Sequence, residues 1–151
     1  MKKAIAYYIG DAPQNVCLTP NTTTALAMVY QGLRIRPDQH VVTTEHDHYS
    51  QHESIRYAAA RSGAGVKYVS LYDDPSKASA AEMTSRLAAA IGPKTRAVGV
   101  TWVHSNTGVK VPLAALVDAV AQANRGRAGG DRCLLIVDGV HGFGNQDVDA
   151  A

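Results

Sequence analysis

Four short polar clusters hold the residues of this chain best suited to chemistry: Thr19-Pro-Asn-Thr-Thr-Thr24, Glu45-His-Asp-His48, His104-Ser-Asn-Thr-Gly108 and Asp138-Gly-Val-His141. Thr22, Thr23 and Thr24 open a helical stretch and have the make-up of an anion site. Unpaired backbone N–H groups at a helix start point at the ligand, the helix dipole favours negative charge, and threonine hydroxyls add donors. The plainer use of Asn21 or Thr22 is to cap the helix. Asp138 ends an apolar run and precedes a glycine. A carboxylate so placed holds a cation, a ribose hydroxyl or a protonated ring nitrogen, or it only caps its loop. His46, His48 and His52 supply three imidazoles, enough to bind zinc, but their spacing differs from the His-Glu-x-x-His pattern. A solvent-facing or single ring-stacking histidine is the simpler reading. Asn106, followed by Thr107 and Gly108, serves equally well as a turn residue.

These clusters need elements to position them. A β-branched run, a polar turn and an alanine-rich stretch of helical spacing recur along the chain, the pattern of parallel strands joined by helices. Strands are expected at His40–Thr44, Val66–Leu71, Arg96–Val103 and Cys133–Val137. The last two are apolar nearly throughout, as strands covered on both faces should be. Helices are expected at Thr22–Leu33, Tyr49–Ser62, Ala80–Ile91 and Leu113–Asn124, with a short leading helix at Lys3–Ile9 and an apolar fragment at Val16–Leu18. Ser79 with Glu82 forms a capping-box pattern, Pro112 suits a first helical turn, and Gly63 and Gly92 can close helices. In open parallel sheets ligands bind outside the carboxyl ends of the strands, and the four clusters follow Val16–Leu18, read as a strand, His40–Thr44, Arg96–Val103 and Cys133–Val137, so all four are expected on one edge.

Composition narrows the class. The 151 residues are 46% apolar and 19% charged, and 15 Lys+Arg stand against 13 Asp+Glu. That suits one ordinary soluble domain. The formal charge of +2 is spread without a basic run, which argues against a nucleic-acid surface. No apolar stretch reaches the ~18 residues of a membrane span, and the run Ala4–Ile9 is too short for a signal peptide. Cys17 and Cys133 match no disulfide or ligand spacing and read as core thiols of a reducing, cytoplasmic compartment. The strand at Cys133–Val137 is followed by no helical pattern that would cover it, so the architecture is expected to be incomplete.

Taken in order, Thr22-Thr23-Thr24, Glu45-His46, Ser105-Asn106-Thr-Gly108 and Val137-Asp138-Gly-Val-His141 resemble the large domain of class V aminotransferase-fold enzymes that use pyridoxal 5'-phosphate. The group includes cysteine desulfurases and isopenicillin N epimerase-like proteins, and Thr44-Glu-His-Asp with Asp138-Gly-Val-His-Gly-Phe-Gly144 is most similar to the latter. The resemblance covers almost the whole chain. It implies an α/β fold: the three-layer, parallel-sheet large domain of a fold type I transferase, incomplete, with residues 1–151 forming part of that domain and the carboxy-terminal small domain not among them.

The resemblance also implies roles. Thr22 and Thr23 would hold the cofactor phosphate, His46 would stack on the pyridine ring, and Asn106 would donate to the ring's phenolic oxygen. Asp138 would pair with the pyridine nitrogen and keep it protonated, so that the ring withdraws electrons. His141 falls where desulfurases place a glutamine. The family's Schiff-base lysine lies further along than Asp138, and none of Lys2, Lys3, Lys67, Lys77, Lys94 and Lys110 is in a suitable context. The catalytic lysine is therefore expected outside these residues, with an amino-acid substrate and a homodimer in the full-length enzyme and negligible turnover from this chain. Two alternatives stay open: a non-catalytic module that binds the cofactor or a partner, and a metal hydrolase built on His46, His48 and His52.

Overall fold

The computed structural model describes residues 1–146. In chain order these form α1 (Lys2–Tyr8), α2 (Thr22–Gly32), β1 (His40–Thr44), α3 (Tyr49–Ser62), β2 (Gly65–Val69), α4 (Ala80–Ala90), β3 (Thr95–Thr101), α5 (Leu113–Ala123) and β4 (Leu134–Asp138), with single 3-10 turns at Pro13–Asn15, Pro75–Lys77 and Gly129–Asp131. All four strands run parallel in the order β2-β1-β3-β4. The tail of the uncovered segment, residues 147–151, lies outside the described residues.

Successive side chains of a strand point to opposite faces, and the two central strands use this to build two cores. Val41 and Ala97 face α2 and α3, where they join Leu26, Tyr30, Ile55 and Ala58. Val42, Val98 and Val100 face α4 and α5, where they join Met83, Leu87, Leu116 and Val120. Complete burial of one such aliphatic side chain contributes about 1.5–3 kcal/mol. The parallel strands joined by helices expected from the alternating pattern are present, in the three layers that the resemblance implies.

Local signals explain most of the element ends. Asn21 Oδ1 accepts from Thr24 N at 2.8 Å and starts α2. Gly63, at φ 65°, closes α3 in the left-handed conformation that costs glycine nothing. Ser79 Oγ accepts from Glu82 N at 3.2 Å, but the Glu82 carboxylate turns to Arg86 at 2.7 Å, so only half of the capping box forms. Gly92 does not close α4: Ile91 leaves the helix with extended backbone, and Gly92 N donates to Thr95 Oγ1 at 2.9 Å on the way into β3. Pro112 stands one place earlier than expected, as the N-cap of α5.

Three expectations are corrected. Val16–Leu18 pairs with no strand, so the Thr19–Thr24 cluster belongs to the start of α2 and not to a strand end. Cys17 is exposed; only Cys133 is a core thiol, its pKa pushed up to about 11 by burial. β4 is not covered on both faces along its length. It is an edge strand, paired only with β3 among the described residues, and Leu134 and Val137 remain 40% and 37% exposed.

Candidate functional site

β3 and β4 end level with each other, Thr101 opposite Asp138. Trp102 N donates to the Asp138 carbonyl at 2.9 Å, carrying the pairing one step past the strands. The Asp138 side chain is 3% exposed, and its Oδ1 accepts from Val140 N at 3.1 Å. Its second oxygen receives no hydrogen bond among the described residues, so the carboxylate has acceptor capacity to spare. The following turn folds back on the Trp102 indole. A Cβ at Gly142 would sit 2.2 Å from that ring, so glycine is what lets the turn close. His141 lies in this turn and is exposed. Tyr8 of α1 fastens the turn from outside, edge-on to Phe143 at 4.9 Å and accepting from Gly144 N at 3.2 Å.

His46 follows β1 and is half-buried. Its Nε2 accepts from Leu71 N at 3.2 Å, and its ring lies parallel to Tyr72 at 3.9 Å and 6°. Tyr72 reaches on to β3: its hydroxyl is 2.9 Å from His104 Nδ1 and 2.9 Å from Thr107 Oγ1. Burial holds the pKa values of both His46 and His104 below the ordinary histidine value, against the pull of Asp47, so both rings favour the neutral form.

Asp47 is the fastener of this edge. Its Oδ2 accepts from Thr43 Oγ1 at 2.8 Å and Thr44 N at 2.7 Å, and its Oδ1 accepts from Thr101 N at 2.7 Å. A buried carboxylate with three donors is stable where an unpaired one would not be, and here it ties the end of β1 to the end of β3. Beneath it, on the α2/α3 side, Tyr30 and Gln51 crowd against Gly99. Any side chain at Gly99 would collide with the Tyr30 hydroxyl at 2.2 Å. The Tyr30 hydroxyl, the Gln51 amide, Thr101 Oγ1 and His104 Nε2 are all buried without a hydrogen-bond partner among the described residues. Burial, then Asp47 and Asp138, drive the Tyr30 phenol well above the ordinary tyrosine range, so it stays a neutral donor.

The remaining candidates stand further apart. Asn21 takes the Thr24 amide at the start of α2, and the N–H groups of Thr22 and Thr23 are left facing outward from the helix end. Thr23 is exposed, and Thr22 is half-buried. Asn106 sits in the exposed tip of a small hairpin closed by Gly108 N to His104 O and by the Val103–Lys110 bridge. The six side chains at Thr22, Thr23, His46, Asn106, Asp138 and His141 make no hydrogen bond or ring contact with one another among the described residues. The histidine cluster does not converge: His48 Nδ1 meets Ser50 Oγ at 2.8 Å and caps α3, while His52 Nε2 meets the Thr44 carbonyl at 2.8 Å. No group of three metal-ligating side chains occurs among the described residues. A groove between α4 and α5, lined by Ala88, Ile91, Ala115 and Asp118 among others, contains none of the six.

Sequence reasoning gave no role to Asp47 and His104, although both stand in its polar clusters, and it missed Tyr72. Asp47 had a signal, a carboxylate three residues beyond a strand-ending Thr43-Thr44 pair. Tyr72 and His104 had none, because their partners lie 25 or more residues away in the chain.

The arrangement offers free amides at a helix start, a half-buried neutral imidazole and a buried strand-end carboxylate with a free oxygen. Those are the groups needed to hold an anionic substituent, an aromatic face and a protonated ring nitrogen. Comparison with known proteins places the chain in a family. Residues 1–151 match the family model described as Aminotransferase class-V. Isopenicillin N epimerase of Streptomyces clavuligerus is 29% identical over 98% of this chain, which spans 35% of that protein. The cystine C–S lyase C-DES, solved with its product cysteine persulfide, is 25% identical with a TM-score of 0.77, over 93% of this chain and 35% of that one. The Escherichia coli cysteine desulfurase CsdA shares the fold at 19% identity and a TM-score of 0.79, over 93% of this chain and 33% of its own length. No helix of the described residues is long and apolar enough to cross a membrane.

Proposed function

The chain belongs to the class V aminotransferase family, and from that premise we propose that its carboxyl edge is a cradle for pyridoxal 5'-phosphate in an enzyme acting on an amino acid. The observation that carries this reading is Asp138: a carboxylate almost wholly removed from water, at the end of a strand, with one oxygen unclaimed. Buried charges need partners, and a protonated pyridine nitrogen is a partner of the right sign and shape.

Each remaining residue has a part its position supports. Thr22 and Thr23 offer backbone N–H groups and hydroxyls to a phosphate, with the helix dipole adding to the attraction. His46 presents the ring face not taken by Tyr72 to the pyridine. Asn106 and His141, both on exposed loops beside the strand ends, supply donors for the ring's phenolic oxygen. When bound, the cofactor supplies an electron-withdrawing ring that stabilises negative charge beside the substrate's amino group. Asp138 keeps the nitrogen proton in place, and the α2 start holds the phosphate.

The lysine that would carry the cofactor covalently is a separate matter. Lys94 pairs with Asp38 at the amino end of the sheet, Lys67 reaches the Ala90 carbonyl, and Lys77 pairs with Asp74. Lys110 pairs its backbone with Val103, and Lys2 and Lys3 lie in α1. None of these placements suits the role, so the reading assigns the covalent lysine to a part of the polypeptide beyond these residues. Residues 1–151 are then part of a larger major domain, and the homodimer, the amino-acid substrate and the choice between epimerase-like and desulfurase-like chemistry belong to the whole protein.

The test is a spectroscopic titration of the 151-residue protein with pyridoxal 5'-phosphate. Saturable binding is expected, weakened about 10-fold or more in Thr23→Ala, as loss of a hydrogen bond to a charged group requires. Borohydride treatment should leave no adduct on a single lysine. Absence of saturable binding refutes the cradle, and a specific lysine adduct refutes the assignment of the anchor elsewhere.

A further inference from the structure

Three strand-end loops meet on one tyrosine. Tyr72, in the segment after β2, is 2% exposed and stacks flat on His46 from the loop after β1. Its hydroxyl lies within hydrogen-bond distance of His104 and Thr107, both in the hairpin after β3. The segment that carries it is clamped by α4: Arg86 donates to the Ser70 carbonyl at 3.3 Å and to both Asp73 oxygens at 2.9 and 2.8 Å. Tyr72 therefore has little freedom of its own.

The neighbouring bond decides the chemistry of His46. Leu71 N–H can only donate, so the Nε2 that faces it at 3.2 Å must be the nitrogen without a proton. The neutral ring then carries its proton on Nδ1. Backbone and side chain of one dipeptide, Leu71-Tyr72, thus set both the tautomer and the plane of His46. With one face covered at 3.9 Å, the imidazole has a single face left to offer.

We propose that Tyr72 is a positioning residue for His46, fixing the plane of its ring directly and its tautomer through the loop that Tyr72 anchors. The functional consequence rests on the reading of His46 as the ring that stacks on the cofactor. A free imidazole would have to be ordered at the moment of binding; a ring already held flat does not. His104 and Thr107 enter as supports of Tyr72, not as contacts of a ligand.

The experiment follows the histidine ring nitrogens of the 151-residue protein by NMR, with His46 assigned through His46→Gln. In the unaltered protein Nε2 of His46 should resonate as an unprotonated nitrogen and Nδ1 as a protonated one, and its carbon-bound ring protons should be shifted upfield by the Tyr72 ring. The signatures are read on the unaltered protein, and through-bond correlation from the His46 backbone gives the same assignment without a variant, so the point is decided even if substitutions unfold the chain. A protonated Nε2, or ring protons at ordinary positions, overturns the proposal. Tyr72→Phe should keep both signatures. Tyr72→Leu should give the mixed tautomers of a free ring and move the His46 titration upward toward the ordinary value. Glu45, Asp47, Arg86 and His104, which face or influence the ring, are unchanged in these variants.

A second arm measures the pyridoxal 5'-phosphate dissociation constant. Tyr72→Leu should weaken binding about 5-fold, the size of one aromatic pair, and Tyr72→Phe by no more than about 2-fold. In a His46→Ala background Tyr72→Leu should have no further effect, because a positioning residue acts only through the ring it positions. An equal loss in both backgrounds overturns the proposal. If no variant and no parent protein binds the cofactor, the cradle fails while the nitrogen and ring-proton signatures still decide whether Tyr72 positions His46.

Discussion

The two ends of the sheet handle polar groups in opposite ways. At the amino ends, long side chains are spent on the backbone. Arg127 donates to the carbonyls of Thr95 at 2.9 Å and Gly92 at 2.8 Å, Arg96 donates to those of Arg34 and Arg132, and His40 meets Thr95 Oγ1 at 2.8 Å. At the carboxyl ends, polar groups are buried beyond what the described residues satisfy: among these the Tyr30 hydroxyl, the Gln51 amide, Thr101 Oγ1 and His104 Nε2 find no partner, and one Asp138 oxygen receives no hydrogen bond. Buried unsatisfied groups cost free energy, so a cluster of them calls for partners such as ordered water or a bound ligand. On the proposed function, one end closes the fold and the other binds.

Substitution should separate the two ends. Asp138→Asn, which keeps the shape and an acceptor for Val140 N but removes the charge, should weaken pyridoxal 5'-phosphate binding on the order of 10²–10³-fold, as loss of one partner from a buried charge pair does. Its urea midpoint should change little. Arg127→Ala at the opposite end should do the reverse: a stability loss of about 1.5–3 kcal/mol in urea denaturation with the dissociation constant unaltered. If the two variants behave alike in both measurements, the contrast between the ends is wrong.

Acid gives the smallest effect. His40 at the amino end and His46 and His104 at the carboxyl end are all held below the ordinary value of 6.5, by burial first in each case. The unfolded chain therefore takes up protons before the folded one as pH falls. The stability these neutral rings allow is fully present above 6.5 and is lost as pH drops through the lower folded values. The urea midpoint should be lower at pH 5.5 than at pH 7.5. Replacing His104, the more deeply buried ring, should flatten that slope more than replacing His40.

What could be read beforehand follows the same division. β1 and α3 appear with the expected bounds because their signals are local: β-branched His40–Thr44, then a helix closed by Gly63. The missing cover over Leu134 and Val137 was legible in the lack of a following helical pattern, but the edge position of their strand was not, since an apolar run is the same string in a central strand or at an edge, and only the pairing order tells them apart. Val16–Leu18 failed for a related reason, as a strand exists only where another offers it hydrogen bonds. Of the site, Asp138 and His46 could be picked out by type and place. The supports could not: Tyr72 gains its meaning from His46 and His104, and Tyr30 from a glycine 69 positions later whose missing side chain admits it.

Asp47 has a consequence beyond fastening two strands. With Asp138 it sets standing negative potential under the strand ends, while the start of α2 contributes positive potential through its exposed amides. A molecule carrying an anion at one end and a cation at the other meets a field with a direction, and entering in the reverse sense brings like charges together. On the proposed function, the fold would sort the orientation of a dipolar guest electrostatically, before any contact has tested its shape.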